Sequence, residues 1–263
     1  MRRQEAGTSS LATRVGPEVL TTAAVASVTG CDDPLAAVLL GRPKVIEVLQ
    51  RSAELIDRVP ALAAAHHQIA DYHAMRSRFF DAYLADAAAE GIRQCVVLAA
   101  GLDTRAFRLP WPDGMTVFEI DQPTVLRYKE NALTAHGARP AAAWHPVGVE
   151  SDMPWPRRLW ESGFNHNEPT IWLAEGLLPL PDATQDALIS EIDGLSAAGS
   201  RIAFDDVLGM CSGRSDAPGW LTSRGWWTDV VEARHLPGLS GRRDDDAQSY
   251  TAHAALVTAE KIA

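Results

Sequence analysis

Val96-Val97-Leu98-Ala99-Ala100-Gly101-Leu102-Asp103-Thr104-Arg105, followed by Val117-Phe118-Glu119-Ile120-Asp121, is the stretch whose reading decides the fold. A short apolar run ends in a turn of small residues, and a second run ends in carboxylates about twenty residues later. That is the spacing with which a Rossmann-type α/β unit holds an adenosine-containing cofactor. Small side chains at Ala99, Ala100 and Gly101 let the backbone pass close to a ligand. A carboxylate at the end of the second strand can accept hydrogen bonds from a ribose diol. Only Gly101 of the turn is a glycine, so the dinucleotide pattern G-x-G-x-x-G is absent and an NAD-dependent enzyme is disfavoured.

Outward from this stretch the chain alternates short apolar runs with helical segments. Residues 95–99, 115–119, 141–146, 170–174 and 201–204 read as strands, and 122–135, 155–160 and 182–195 as helices. Alternation of this kind predicts a parallel sheet with helices on both faces. Residues 227–231 and 254–258 add two further strands, expected as an antiparallel ending of the sheet. The result is an α/β fold of the class I methyltransferase type, a Rossmann-like, seven-stranded, mostly parallel sheet. Before Gly91 the chain reads as all helical, with one helix over 43–59 and a longer one over 61–89. On the latter, Ile69, Tyr72, Met75, Phe79 and Tyr83 recur three or four residues apart. The expected organisation is a flexible tail (1–16), a helical cap (17–91) and a cofactor-binding α/β domain (92–263), cap and domain forming one compact unit.

The 263 residues suffice for one substantial core, and 46% hydrophobic with 22% charged residues is ordinary for a globular protein. A net charge of −10 argues against nucleic acid or an anionic membrane surface as a partner. No apolar run reaches membrane-spanning length and no signal-peptide h-region follows Met1-Arg2-Arg3, so a cytoplasmic protein is expected. Cys31, Cys95 and Cys211 cannot all pair and lack metal-ligand spacing, and Cys95 reads as a buried thiol. His66, His67 and His73 do not repeat at i, i+4, and no Asp or Glu completes a ligand set. They read as surface or packed histidines, and no metal is expected.

In an open parallel sheet the ligand lies at the carboxyl ends of the strands. Here those ends carry Ala99–Arg105, Glu119–Gln122, Val149–Asp152, Ala174–Leu178 and Asp205-Asp206. A phosphate would call for basic groups or helix N-termini. A rim rich in carboxylates suits instead a cationic cofactor with free hydroxyls and an amine, and S-adenosylmethionine fits it better than NAD or ATP. Asp121 is the better ribose ligand and Glu119 its rival, the two being expected on opposite faces with Asp121 nearer the crevice. Asp103 either contacts the cofactor from its loop or bonds the loop's own backbone. Glu175 emerges at a strand end, toward the amine or sulfonium of the cofactor. Arg76 and Arg78 cannot share one helix face; one would reach the cofactor carboxylate and the other pair with Asp81 or face solvent.

Arg76-Ser77-Arg78-Phe79-Phe80-Asp81, Val97 to Arg105, Phe118-Glu119-Ile120-Asp121-Gln122-Pro123 and Trp172-Leu173-Ala174-Glu175-Gly176-Leu177-Leu178, in this order, resemble the leucine carboxyl methyltransferase family. The resemblance runs from about Asp33 to Val207. It points to the family's bacterial branch of polyketide carboxyl O-methyltransferases and mycobacterial S-adenosylmethionine-dependent methyltransferases. It implies that Arg76 holds the cofactor carboxylate, that Ala99, Ala100 and Gly101 form the close-approach turn with Asp103 behind it, and that Asp121 and Gln122 meet the ribose. Glu150 and Ser151 would lie at the adenine, and Glu175 beside the methionine portion. The chain departs from the family pattern in three places. Ala99 replaces the first glycine of Gly-Ala-Gly, Glu150-Ser151 replaces Asp-Leu, and Pro179-Leu180-Pro181 follows Leu178 without the usual Met-Tyr. A short stretch over 207–220 implies a more open acceptor pocket.

The reading is an S-adenosylmethionine-dependent O-methyltransferase forming a methyl ester on a carboxylate of a small molecule, natural product or peptide end. A carboxylate is ionised at neutral pH, so no general base is required and no catalytic residue is assigned. The alternatives are methylation of a phenol or hydroxyl in secondary metabolism, with Asp205, Asp206 or a cap histidine as base, and a non-catalytic partner protein that binds the cofactor. The sequence leaves the acceptor and the oligomeric state open.

Overall fold

The computed structural model describes residues 33–41, 51–52, 54–150, 154–176, 182–207, 216–236 and 253–262. Seven strands form one sheet: β1 Gln94–Leu98, β2 Thr116–Asp121, β3 Ala143–Gly148, β4 Thr170–Ala174, β5 Arg201–Val207, β6 Trp226–Glu232 and β7 Ala254–Lys261. Their order is β3-β2-β1-β4-β5-β7-β6. The first five are mutually parallel, and β7 runs antiparallel to both β5 and β6. The expected antiparallel ending is therefore present, with β7 inserted between β5 and β6. The helices are α1 Ala36–Leu39, α2 Pro60–Ala89, α3 Arg105–Arg108, α4 Pro123–Ala135, α5 Trp155–Glu161, α6 Asp182–Gly194 and α7 Ala217–Ser223. Sequence periodicity missed α3 and α7, which are too short to show it. Among the described residues no helix is long and apolar enough to cross a membrane.

Strand alternation sorts the core. Val96, Leu98, Phe118, Ile120, Trp172, Ile202 and Phe204 pack on one face, with Ile189 and Ile192 of α6, Leu159 of α5 and Leu221 of α7. Cys95, Val97, Val117, Ile171, Leu173 and Ala203 pack on the other, with Tyr72, Phe80 and Leu84 of α2. β1 and β4 are buried along their whole length, as expected of central parallel strands covered on both sides. Cys95 is a buried free thiol, and burial pushes its pKa up; Cys31 and Cys211 lie outside the described residues.

Helix α2 begins with Pro60 at its first position, where the missing N–H costs nothing, and the chain turns at Gly91 with φ +108°. Its buried stripe is Tyr72, Arg76, Phe80, Leu84 and Ala88, spaced by four residues. This differs from the stripe expected from the sequence. Ile69 is exposed, and Met75, Phe79 and Tyr83 flank the contact. The reason is Arg76, a charged residue on the seam that a purely apolar pattern passes over.

Candidate functional site

Strand register places the candidate side chains in one row. Leu98 pairs with Ile120 across β1 and β2, Val97 with Leu173 across β1 and β4, and Ala174 with Phe204 across β4 and β5. Carried one step along the carboxyl ends, this sets Asp121, Ala99, Glu175 and Asp205 side by side, on the face covered by α2. The row is where an open α/β sheet binds its ligand.

At its left end, Asp121 closes β2 and meets the turn after β1. One carboxylate oxygen accepts the Gly101 N–H at 2.7 Å and the other accepts the Gln122 N–H at 2.6 Å. The carboxylate is half-buried, and each oxygen keeps a second acceptor direction. Gln122 is exposed and is the N-cap position of α4, with Pro123 at N1. Glu119 and Asp121 are two residues apart on β2 and share its face, so the expectation of opposite faces fails on the strand's period of two. Depth separates them instead. Glu119 is fully buried against the equally buried Lys129 of α4, and burial raises its pKa against the pull of that ammonium. It cannot meet a ligand in the crevice.

The turn itself is conformationally demanding. Gly101 has φ +50° and Ala99, though not a glycine, has φ +46°. The left-handed region costs an L-residue about 1–2 kcal/mol. Ala99→Gly should therefore stabilise the fold by roughly 0.5–1 kcal/mol after the larger unfolded-state entropy of glycine is subtracted. Urea unfolding of the two proteins checks this, and a loss of stability would contradict the strained turn.

Behind the turn lies a lattice of ion pairs that ties α2 to the strand ends. Arg76 donates from one amino group to Asp205 and from the other to Glu175, both at 2.7 Å. Arg105, at the start of α3, is buried. Its Nε donates to Asp81 at 2.7 Å, and one amino group donates to Glu175 at 2.9 Å and also to Asp103. Arg108 donates to both oxygens of Asp81, at 2.6 and 2.9 Å. Of the two places open to Arg78, a pair with Asp81 or the solvent face, the structure shows the exposed one, beside Met75, because Arg78 lies some 200° around the helix from Arg76. Asp103 bonds its own loop, accepting from the Arg105 N–H at 2.7 Å as well as from the guanidinium. Of the two roles open to it, the structure shows the loop-bonding one.

Burial alone would raise the pKa of Glu175, but Arg76 and Arg105 hold its carboxyl down at about 2. A carboxylate with a lowered native pKa contributes stability in full above its unfolded value of about 4.5, lost as pH falls toward 2. Acid unfolding should steepen in that window. Glu175→Gln should flatten the slope while lowering stability at pH 7; an unchanged slope would count against the pairing. His73, on the same helix, faces this cluster. Burial and the Arg76 charge, against the pull of Glu175, take it down to about 4, so it is a neutral imidazole at pH 7.

Other contacts anchor the turn in ways the sequence reading missed. Asp33 accepts the Leu35 and Ala36 N–H groups and, through its other oxygen, the Thr104 hydroxyl at 2.8 Å. Leu39, Leu40, Leu102 and Leu133 form a small separate core beside it. The signal was the Asp33-Pro34 pair, a turn initiator read only as a break in a helical stretch. Glu150 is exposed at the end of β3, next to Val149, whose N–H donates to the Asp121 carbonyl at 2.9 Å. Ser151, Pro179-Leu180-Pro181 and most of the stretch from 207 to 220 lie outside the described residues, so the adenine contact at Ser151 and the open pocket have no structural account here.

Comparison with known proteins bears on this geometry. Two solved structures share the fold at 13% identity: a Thermobifida fusca protein crystallised as a candidate methyltransferase (TM-score 0.53, covering 92% of this chain and 94% of that one), and a DUF574-family protein of Streptomyces avermitilis (TM-score 0.51, 92% and 97%). A protein of Mycobacterium sp. strain KMS is 99% identical over the full length of both chains, and one of Mycobacterium marinum is 40% identical over 85% of this chain and 88% of its own. Both are provisionally named S-adenosyl-L-methionine-dependent methyltransferases. The model of the leucine carboxyl methyltransferase family matches residues 18–193. With the strand order and the carboxylate row in place, this chain belongs to the leucine carboxyl methyltransferase family.

Proposed function

We propose that this S-adenosylmethionine-dependent methyltransferase esterifies a carboxylate of a small molecule, natural product or peptide end. The chemistry of the donor set fits the cofactor. Asp121 offers two free acceptor directions where a ribose diol would lie, and the turn at Ala99–Gly101 brings backbone close to it. The lattice sets the four carboxylates of Asp81, Asp103, Glu175 and Asp205 against the three guanidinium groups of Arg76, Arg105 and Arg108. That leaves an excess negative charge facing a cationic ligand. Arg76 Nε is buried without a hydrogen-bond partner among the described residues, a donor in reserve near the methionine end. Ala99, Ala100, Gly101, Asp121, Gln122, Glu150 and Ser151 would line the nucleoside side. Arg76, Asp103 and Glu175 hold the opposite side in place. S-adenosylmethionine supplies an electrophilic methyl group on its sulfonium.

The observation that supports the carboxylate reading is that, among the described residues at the strand ends, the candidate bases are committed elsewhere or weak. Glu175 and Asp205 are committed to Arg76, and Asp206, one residue on, takes the opposite face of β5. His73 is depressed to about 4, too weak a base to take a proton from a phenol efficiently. A carboxylate needs none, so alignment and exclusion of water suffice.

The test is methyl transfer from labelled S-adenosylmethionine to paired carboxylic and phenolic acceptors, followed by mild alkali. Label released as methanol marks an ester, and a rate independent of pH from about 6 to 9 fits an acceptor already ionised. Alkali-stable label with a rate that climbs toward a phenol's pKa would establish the hydroxyl reading. Cofactor binding without turnover would establish the non-catalytic one.

A further inference from the structure

Sequence spacing gives the cap histidines no ligand set of their own. The fold supplies a carboxylate from outside α2. The chain bends at Val59-Pro60, and the helical segment before the bend brings Asp57 back against the second turn of α2. One oxygen of Asp57 lies 3.3 Å from His66 Nδ1 and 3.2 Å from His67 Nε2. The three donor atoms all lie within 4.8 Å of one another.

We propose that Asp57, His66 and His67 form a binding site for a divalent transition ion of the zinc class. Two imidazoles and a carboxylate are the donor set such ions take, and three protein ligands leave a fourth position to water. Ligands at 2.0–2.1 Å from a tetrahedral ion stand about 3.3 Å apart, and two of the three donor–donor edges already have that length. The remaining edge, between the imidazoles, closes by side-chain rotation, since both rings are at least partly exposed.

The placement gives the ion a role. Asp57 precedes the bend and the histidines follow it, so an ion bridging them fixes the angle between the 54–58 segment and α2. Nine residues separate His67 from Arg76, about 14 Å along the helix axis. The ion therefore stands outside the carboxylate row and acts as a clip on the leading edge of the cap.

The experiment uses the full-length, tag-free chain, stripped with a chelator and titrated with zinc chloride against a chromogenic chelator. One equivalent per chain binding below about 10 μM is expected. Asp57→Asn and His67→Ala should each weaken it at least tenfold, while S-adenosylhomocysteine binding stays unchanged as the control for folding. Zinc should raise the thermal midpoint of the native chain by a few degrees and not that of either variant. No saturable binding below about 100 μM would overturn the site. So would a loss confined to His67→Ala with Asp57→Asn unaffected, which would mark an adventitious histidine contact.

Discussion

Arg105→Met should cost the folded chain about 3–5 kcal/mol, the range seen when one partner of a buried ion pair is removed. The side chain of Arg105 is 5% exposed and bonds Asp81, Asp103 and Glu175, on three different parts of the chain. Burial works against its charge, yet those carboxylates hold its pKa well above the ordinary value. Methionine fills much of the volume, so the loss is electrostatic rather than a cavity. Asp81 keeps Arg108 and Glu175 keeps Arg76, but Asp103 is left with its charge and no cation. An exposed pair would be worth at most about 1 kcal/mol, so the two outcomes separate cleanly in a denaturant titration. A change under 1 kcal/mol would mean that the lattice contributes little. Adding Asp103→Asn to Arg105→Met should recover part of the loss, because it removes the stranded charge.

Asp121→Ala is expected to weaken S-adenosylhomocysteine binding about a hundredfold, or roughly 3 kcal/mol. A hydrogen bond to a charged group is worth about 1.5–3 kcal/mol, and the carboxylate can accept two from a ribose diol. The variant also releases the Gly101 and Gln122 N–H groups, so the turn loses the tether that sets its shape. Asp121→Asn keeps one acceptor oxygen and should lose about tenfold. Because Asp121 is half-buried and solvent can replace its contacts, stability should change by less than about 1 kcal/mol. Calorimetric titration reads the affinities directly. Unchanged binding in the alanine variant would remove Asp121 from the cofactor site.

The sheet was legible in the sequence because its strands are short apolar runs in strict alternation with helices. Residues 170–174 match β4 and the other boundaries moved by one to three residues; β5 and β7 each run three residues past the expected end, β5 because Asp205 and Asp206 continue it past the apolar run. The carboxylates of the site were legible for the same reason, since they follow the runs directly. What was not legible is where the charges go. Helical spacing could not show that Arg76 lies on the buried seam of α2, because apolar periodicity gives a buried arginine no weight. Nor could spacing show that Arg105 turns inward, since its three partners are separated from it by 2, 24 and 70 residues. Asp57 was missed for a related reason. Its approach to His66 and His67 depends on a bend at Pro60 that is visible, and on an angle that is not.

The position of β7 has a consequence for the order in which the chain is made. β6 ends at Glu232 and, among the described strands, pairs only with β7, which does not begin until Ala254. During synthesis, β6 therefore leaves the ribosome with no neighbour to join, and the parallel half of the sheet waits with β5 as an open edge. Both are raw strand edges of the kind that recruit other chains. β7 pairs with both, so a single strand covers the two edges. A chain cut between 233 and 253 would lose more than its last strand: β5 would gain an open edge and β6 would have no described partner, and aggregation rather than the missing contacts alone should decide its fate.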